Sequence, residues 1–459
     1  MRRRSPRRAD RAPASGERDA MSAAPAITAR EVALQVCRDV FAPKPRGARE
    51  SLDYRLRRSE LSARDRAFAT ELAYGAIKMR RLLDFALQPY VGARAASLPQ
   101  PIAEILRLGA YQLRVMRGVE PYAAVSESVG LARKYGHKGT AGLVNAVLRR
   151  LSEEPPREPD DLATRASLPT WVVEHWRERF GAERLEQIVA GVNAPAPAGL
   201  AVDERTIARD EARAVLAAAG IAAAPSAFAR DVIVLEPDAS AADVEALANH
   251  RWHLHAEAAA FAVDVLDPRA GQRIVELCCG RGNKTLQLAS RTRDAGTILA
   301  VDDDERKIAQ IAKRLEAAGI ASVALVAADA TKMHAVPDAD AVLLDAPCSG
   351  LGILGRQPEA RWRKRPEDPE RMARVQRALI RVAAACLKPG GTLVYAVCST
   401  DRREGEEVVD GLLAERADLR RGALPDRYSP LRTPDGDLLV PPGIDGRDGF
   451  FVARLERPQ

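Results

Sequence analysis

The sequence predicts a multidomain protein in which an all-helical domain is followed by a Rossmann-like α/β domain. Two observations support this fold class. Apolar residues recur at helical spacing between residues 21 and 151. From residue 273 onward, short apolar runs alternate with helical patterns, which is typical of a parallel, doubly wound sheet. The 459 residues are enough for roughly two to four domains.

The N-terminal part divides into a tail and a helical domain. Residues 1–20 contain seven arginines and almost no large apolar side chain, which predicts a disordered basic tail. Thr28 and Glu31 fit a capping box at the start of a helix. Further helical stripes occupy residues 68–83, 101–113 and 144–151. We therefore predict an all-helical domain over residues 21–151.

A linker, a small domain and a sheet are predicted to follow. Prolines and acidic residues predict a linker over residues 152–170. Mixed segments predict a small α+β domain over residues 171–250, and the α/β domain occupies residues 251–459. Its predicted strands are residues 273–277, 297–301, 323–326, 341–344, 392–397 and 450–455. In parallel sheets of this kind, ligands bind at the carboxyl ends of the strands.

The net charge of +7 is distributed unevenly along the chain. Residues 21–150 carry 22 basic and 11 acidic side chains, whereas residues 151–459 carry 41 basic and 49 acidic side chains. A basic excess on a whole domain is typical of proteins that bind a polyanion. Nucleic acid is favoured over an anionic membrane, because neither a lipid anchor nor a strongly apolar amphipathic helix accompanies the charge.

The six cysteines form no CxxC pair and no Cys/His cluster at metal-binding spacing, so we expect neither a disulfide framework nor a metal site. The arginine-rich N-terminus lacks the apolar stretch of a secretory signal. We therefore expect a cytoplasmic protein.

Three predicted strand ends carry the pattern of a nucleoside-binding pocket. The first strand ends in VELCCGRGNKT (275–285), in which Gly280 and Gly282 allow a tight turn. The second ends at Asp302, where a carboxylate can accept both hydroxyls of a ribose, and the third ends at Asp329. This pattern fits both a nicotinamide cofactor and S-adenosylmethionine. The structural alternative is that the glycines at the first strand end only form a turn and that the acids at the other two only cap helices.

Two cysteines occupy adjacent strand ends. The motif LLDAPCSG (343–350) places Asp345 and Cys348 after the fourth strand, and LVYAVCST (393–400) places Cys398 after the fifth. A single buried cysteine is more often inert than catalytic. A thiol with a reference pKa of about 8.5 needs a polar, partly exposed position to act as a nucleophile, and a strand-to-helix turn provides one.

These motifs resemble a known family. DAPCSG, the later CS pair and GFFVARL (449–455) look like those of the RsmB/Sun family of RNA cytosine-5 methyltransferases. The N-terminal strings look like the NusB-like RNA-binding domain that is fused to the bacterial enzymes of this family: ARDRAFATELAYGAIK (63–78), ILRLGAYQL (105–113), AAVSESVGLAR (123–133) and LVNAVLRRL (143–151). The resemblance implies an all-α NusB-like domain joined to a class I S-adenosylmethionine methyltransferase domain.

The resemblance also implies the roles of individual residues. Cys398 is expected to be the nucleophile that adds to C6 of a cytosine, Cys348 to assist product release, and Asp345 to contact the base near N3. The implied cofactor is S-adenosylmethionine, and the implied partner is 16S ribosomal RNA before full subunit assembly, bound by a monomer. The residues expected to contact the cofactor are Cys278, Cys279, Gly280, Arg281, Gly282, Asn283, Lys284, Asp302, Asp329 and Asp345.

A cationic segment, RWRKR, follows the fourth strand. Cations around an aromatic ring can grip phosphates and stack a base. A solvated helix start is the alternative interpretation. The residues predicted to bind RNA are Arg361, Trp362, Arg363, Lys364 and Arg365.

The chain departs from the family pattern at several positions. Arg281 and Asn283 replace a proline and a glycine of the glycine-rich turn, and His255 and Ala256 stand where glutamine and aspartate are expected. These changes leave other hypotheses open: an RNA-binding or ribosome-assembly factor with a degenerate methyltransferase fold, or a cytosine-5 methyltransferase of another RNA. A DNA-type enzyme would use Cys348 as the nucleophile. A nicotinamide-dependent dehydrogenase is disfavoured, because no acid or base for hydride transfer is evident.

Overall fold

The computed structural model describes residues 27–236, 239–336 and 338–459. The predicted basic tail over residues 1–20 lies outside the described residues. The N-terminal part is helical, as predicted. Its helices are α1 (Ala29–Val40), α2 (Ala48–Arg57), α3 (Ala63–Lys78), α4 (Arg80–Val91), α5 (Gln100–Arg114), α6 (Pro121–Tyr135) and α7 (Lys138–Glu153).

Helix α5 lies at the centre of this domain, with Ile102 and Ile105 fully buried. At the start of α1, the Thr28 hydroxyl accepts a hydrogen bond from the Glu31 amide at 3.2 Å. The predicted helix over residues 68–83 is instead two helices, because the backbone leaves helical geometry at Met79. Gly75 is required where α3 meets α5, since a Cβ at this position would lie 2.0 Å from the Tyr111 ring.

The segment between the helical domain and the next domain is held by contacts rather than left free. It contains α8 (Leu162–Arg165). The Arg81 guanidinium, from α4, donates to the Thr164 hydroxyl at 2.9 Å and to the Leu168 carbonyl at 2.8 Å. These hydrogen bonds attach the connection to the surface of the helical domain.

A small domain follows, with a four-stranded antiparallel sheet in the order β2 (Ala223–Pro225), β3 (Val232–Leu235), β1 (Gly199–Val202) and β4 (Trp252–Leu254). It is preceded by the long helix α9 (Thr170–Asn193), which is interrupted at Gly181, where φ is 82°. The buried side chains of Leu200, Ile233 and Trp252 form the core of the sheet. The other elements are α10 (Arg209–Ala218) and α11 (Ala241–Ala248).

The C-terminal part is the predicted α/β domain. Its helices are α12 (Glu257–Leu266), α13 (Asn283–Arg291), α14 (Glu305–Ala317), α15 (Ala360–Arg363), α16 (Asp368–Cys386) and α17 (Glu406–Glu415). Its strands are β5 (Arg273–Leu277), β6 (Thr297–Asp302), β7 (Val323–Ala327), β8 (Ala339–Asp345), β9 (Leu387–Val397), β10 (Arg420–Arg421), β11 (Leu438–Val440) and β12 (Phe450–Glu456). Short 3-10 helices lie at Gly92–Ser97, Ala330–Lys332, Leu351–Ile353, Asp426–Leu431 and Ile444–Gly446.

The main sheet has the strand order β10-β12-β9-β8-β5-β6-β7. Strands β5 to β9 are parallel, but β12 is antiparallel to β9, so the prediction of an entirely parallel sheet is wrong at this edge. The apolar run of β12 is buried on both faces, and such a run has the same pattern in either direction. The chain order reverses between β5 and β8, so the carboxyl ends of these strands open a crevice.

None of the helices in residues 27–236, 239–336 and 338–459 is long and apolar enough to cross a bilayer.

Candidate active site

A cavity of about 370 Å³ lies at the carboxyl ends of β5, β6, β8 and β9. Most residues of the strand-end motifs lie together at this cavity, because the motifs follow neighbouring strands of the sheet. The predicted site residues that line the cavity are Cys278, Gly280, Asp302, Asp329, Asp345, Cys348, Lys364 and Cys398.

The turn after β5 keeps its shape despite the two altered residues. Cys278 and Gly280 have φ values of 62° and 60°, and the Gly280 amide donates to Asp302 Oδ2 at 2.8 Å. Asn283 begins α13, and its side chain donates to the Leu254 carbonyl at 3.2 Å. The Arg281 side chain points to solvent. Neither replacement blocks the cavity.

Not every residue of this turn contacts the cavity. The Cys279 side chain packs on the other side of the turn, against Ala300, Ile311 and Leu315. Gly282 has a φ of 77° and lies close to Ile311, so that a Cβ would come within 2.8 Å of the isoleucine side chain. Cys279, Arg281, Gly282 and Asn283 therefore shape the turn without lining the cavity, and their contacts with the cofactor stay predictions.

Two carboxylates at strand ends face the cavity. Asp302, at the end of β6, is 6% exposed, and its Oδ1 accepts from Lys307 Nζ at 3.0 Å. Asp329 follows β7, and hydrogen bonds from Lys332 and Thr331 lower its pKa to about 2. An ionised carboxylate at the end of a second strand can accept the hydroxyls of a ribose. The cavity therefore suits a nucleoside ligand.

The two cysteine sulfurs of the cavity are in contact. Cys348 Sγ and Cys398 Sγ lie 3.2 Å apart, too far for a disulfide bond of about 2.05 Å. The hydrogen bond with Cys398 and burial both raise the pKa of Cys348. Cys348 therefore remains a thiol, and its S–H can donate a hydrogen bond to Cys398 Sγ.

Asp345 joins the cofactor part of the cavity to the thiol pair. Lys284 Nζ donates to Asp345 Oδ2 at 2.6 Å, and the lysine is buried at the start of α13. Among the described residues, Asp345 Oδ1 has no hydrogen-bond partner, so this oxygen is available to a bound molecule. Lys284 thus acts on the site through Asp345.

Glu404 is a site residue to which the sequence analysis assigned no role. It is fully buried, and Oε1 accepts from the Ser349 amide at 2.7 Å and from Gln376 Nε2 at 3.0 Å. Oε2 accepts from the hydroxyls of Ser349 and Ser399. Burial raises the pKa of Glu404. Because each serine directly follows one of the paired cysteines, this one carboxyl group holds both cysteine loops.

The segment Arg361–Arg365 is only partly available to RNA. The Arg361 side chain is fully buried and donates to the Leu354 carbonyl at 3.0 Å and to Asn193 Oδ1 at 2.8 Å. Trp362 Nε1 donates to the Ile77 carbonyl at 2.6 Å. The prediction that Arg361 binds RNA is therefore wrong, because its guanidinium is already bonded inside the protein. Trp362 packs partly buried against the core of the helical domain, and its stacking on a base stays a prediction.

The same segment fastens the helical domain to the α/β domain. Arg363 donates to the Val40 carbonyl at 2.9 Å, and Glu359 Oε1 accepts from the Ala48 amide at 2.9 Å. Val40 ends α1, and the free carbonyls at a helix C-terminus attract cations. Arg363 is thus also committed to this interface. Of its cations, only Lys364, which lines the cavity, and the exposed Arg365 remain available for RNA.

Comparisons with known proteins agree with this architecture. Residues 27–153 match the NusB family, residues 168–242 match the ferredoxin-like domain of RsmF/B-like methyltransferases, and residues 263–456 match the family described as 16S rRNA methyltransferase RsmB/F. The sheet order of the small domain is the one expected for such a ferredoxin-like fold. These matches confirm the family resemblance that the motifs indicate.

Curated relatives match over nearly the whole chain. The ribosomal RNA small subunit methyltransferase B of Thermus thermophilus is 36% identical over 433 residues, which cover 94% of this chain and 98% of that protein. The protein of the same name from Pseudomonas putida is 32% identical over 407 residues, covering 86% of this chain and 91% of that protein. The crystal structure of PH0851 has a similar fold, with a TM-score of 0.80 and 23% identity over 93% of this chain and 98% of that one.

Proposed function

Because the chain belongs to the 16S rRNA methyltransferase RsmB/F family, and so is an S-adenosylmethionine-dependent ribosomal RNA methyltransferase, we propose that it methylates C5 of a cytosine in 16S ribosomal RNA. The reaction would proceed through a covalent bond between Cys398 and C6 of the base. The observation that carries this proposal is the 3.2 Å contact between the Cys348 and Cys398 sulfurs in a cavity that Asp302 and Asp329 also line.

The chemistry explains why a thiol is needed. C5 of cytosine is a poor nucleophile, but addition of a thiolate to C6 converts the ring into an enamine with electron density at C5. S-adenosylmethionine supplies an electrophilic methyl group at that carbon. Removal of the C5 proton then restores the ring and expels the Cys398 thiolate. The protein must therefore hold one thiol as a nucleophile and provide a second group that assists release.

The environments of the two cysteines support a division of roles. A raised pKa keeps Cys348 protonated, and a thiol is a much weaker nucleophile than a thiolate. Its S–H can donate a hydrogen bond to the Cys398 sulfur. After the adduct forms, Cys348 is next to the sulfur that must leave. We therefore assign attack to Cys398 and product release to Cys348, the reverse of a DNA-type enzyme.

The remaining cavity residues would position the two substrates. Asp302 would accept the ribose hydroxyls of the cofactor, the backbone of the turn from Cys278 to Gly280 would contact it, and Asp329 would provide a further acceptor. Asp345, held by Lys284, would hydrogen-bond the base near N3 and favour its activated form. The base must first leave its stack, which costs a few kcal/mol that RNA binding has to offset.

The test compares single cysteine variants with 16S ribosomal RNA as substrate. We expect Cys398→Ala to abolish methylation and Cys348→Ala to accumulate a covalent protein–RNA adduct that survives denaturing electrophoresis. Cys386→Ala is the matched control, because Cys386 is a buried thiol in the core outside the cavity. Full activity of the Cys398 variant, or an adduct that requires Cys348 but not Cys398, would contradict the assignment.

Bisulfite sequencing of the product would locate the modified cytosine. We further propose that the enzyme acts on 16S ribosomal RNA before the subunit is fully assembled, since the target base has to be extruded from its stack. Action as a monomer stays a prediction. Faster methylation of assembled small subunits than of free 16S ribosomal RNA would refute this order of events.

A further inference from the structure

A second cleft, separate from the catalytic cavity, lies between α9, the segment that follows Cys398 and the loops of residues 430–447. It has a volume of about 690 Å³, and we call it the α9 cleft. We infer that the α9 cleft binds the sugar-phosphate backbone of the RNA strand next to the target cytosine. This inference rests on the proposed function and adds to it a binding site for the flanking nucleotides.

The charge of the α9 cleft suits a polyanion. Its lining contains five arginines and three acidic residues. Arg179 donates to the Thr400 carbonyl at 3.0 Å and pairs with Glu406, and Arg447 pairs with Asp445. Arg184 and Arg402 are both exposed, and within the described residues neither forms an ion pair or a side-chain hydrogen bond. These two uncompensated guanidinium groups lie on different segments of the α9 cleft, and each can bind a phosphate.

Two buried atoms of the α9 cleft point to RNA rather than to a simple anion. Glu406 is 2% exposed, and its Oε2 has no hydrogen-bond partner among the described residues. The same holds for Nε of Arg447. Buried polar atoms are nearly always bonded, so these atoms call for a donor and an acceptor. A phosphate offers no donor to a carboxylate. A ribose 2′-hydroxyl offers one, and it is the group that distinguishes RNA from DNA.

The α9 cleft is also tied to the nucleophile. Arg402 lies four residues after Cys398, and the Arg179 hydrogen bond to Thr400 attaches α9 to the same segment. One turn earlier in α9, His175 lies 3.7 Å from Asp401 of the same segment. A strand bound in the α9 cleft would therefore be held by the same segment that carries the nucleophile. Holding the backbone beside an extruded base is what keeps that base in the catalytic cavity.

The experiment uses the full-length protein with in-vitro transcribed 16S ribosomal RNA. The test variant is Arg184→Ala/Arg402→Ala. The control is Arg209→Ala/Arg213→Ala, which removes the same charge from α10, whose residues do not line the α9 cleft. We expect the test variant to raise KM for RNA on the order of tenfold, with kcat and the Kd for S-adenosylmethionine changing by less than about twofold.

The salt dependence of RNA binding gives a second readout that does not need catalysis. In filter-binding assays, losing two phosphate contacts should lower the slope of log Kd against log salt concentration by about 1.4. The lysine variant Arg184→Lys/Arg402→Lys should restore most of the slope. In wild-type assays with short RNA substrates, one 2′-deoxy substitution next to the target should raise KM several-fold.

The outcomes separate the two proposals. An unchanged KM and an unchanged salt slope in the Arg184/Arg402 variant would overturn the inference, as would equal losses in the control. A changed slope together with an absence of methylation by the wild type would refute the proposed function but not the RNA-binding role of the α9 cleft. If the Arg184/Arg402 variant keeps the KM and the salt slope of the wild type for RNA but loses binding of an acidic peptide, the α9 cleft would be reassigned to a protein partner.

Discussion

Glu404 offers a sharp test of how the cysteine loops are held. Its Oε1 accepts hydrogen bonds from the Ser349 amide and from the Gln376 side chain, both of which can only donate at these atoms. Its Oε2 accepts from two serine hydroxyls, which can turn and accept instead. We therefore expect Glu404→Ala to be severe and Glu404→Gln to be mild, because the amide oxygen can occupy the Oε1 position and the amide NH₂ can donate to the hydroxyls.

The magnitude follows from the groups left without partners. In the alanine variant, two buried N–H donors lose their acceptor at about 1–3 kcal/mol each, so the free energy of unfolding should fall by about 2–6 kcal/mol. If the cysteine loops shift by about 1 Å, kcat should fall on the order of a hundredfold. The Kd for S-adenosylmethionine should stay within about twofold, because Asp302 and Asp329 do not contact Glu404.

The assays are urea unfolding followed by circular dichroism, calorimetric titration with S-adenosylmethionine, and methylation of 16S ribosomal RNA. The matched control is Glu407→Ala, which removes an exposed acid three residues further along the chain. Equal damage in the Glu404→Gln and Glu404→Ala variants would refute the assignment of donors and acceptors. An alanine variant with normal kcat would show that the cysteine loops do not depend on this carboxyl group.

Three further predictions concern stability and RNA binding. Burial raises the pKa of Glu276 to about 8 from an ordinary 4.5. The contribution of Glu276 to the free energy of unfolding is therefore fully present below pH 4.5 and falls by up to about 5 kcal/mol as the pH rises toward 8, because this residue ionises only in the unfolded chain. Glu276→Gln should abolish this loss, measured by urea unfolding at several pH values. If the free energies of unfolding of the wild type and the variant change in parallel with pH, the prediction is contradicted. Arg361→Ala should lower the free energy of unfolding by more than about 4 kcal/mol, and Arg365→Ala by less than about 0.5 kcal/mol, in thermal unfolding. Replacing the exposed Arg133 and Arg149 of the helical domain with alanine should lower the salt slope of RNA binding by about 1.4, and an unchanged slope would place the basic contact elsewhere.

Much of the fold can be predicted from the sequence because its signals are local. The predicted strand over residues 273–277 coincides with β5, and the other five predicted strands lie within observed ones, since each is an apolar run bounded by turn residues. The break at Met79 escaped prediction, because the apolar spacing continues from α3 into α4. The direction of β12 escaped it as well, because a strand buried on both faces has no directional pattern.

The sequence by itself determined which reactive side chains line the cavity. Cys348, Cys398 and Asp302 can be identified from short motifs, because the residues that end a parallel strand are also the residues that face the crevice. Only the tertiary structure decided what the cations of the Arg361–Arg365 segment do and what holds the cysteine loops. The carbonyl that binds Trp362 is 285 residues away in the chain, and the donors to Glu404 come from three separate segments. A cationic segment has the same sequence whether it binds phosphates or helix ends, and only the folded chain brings one of these partners within hydrogen-bond distance.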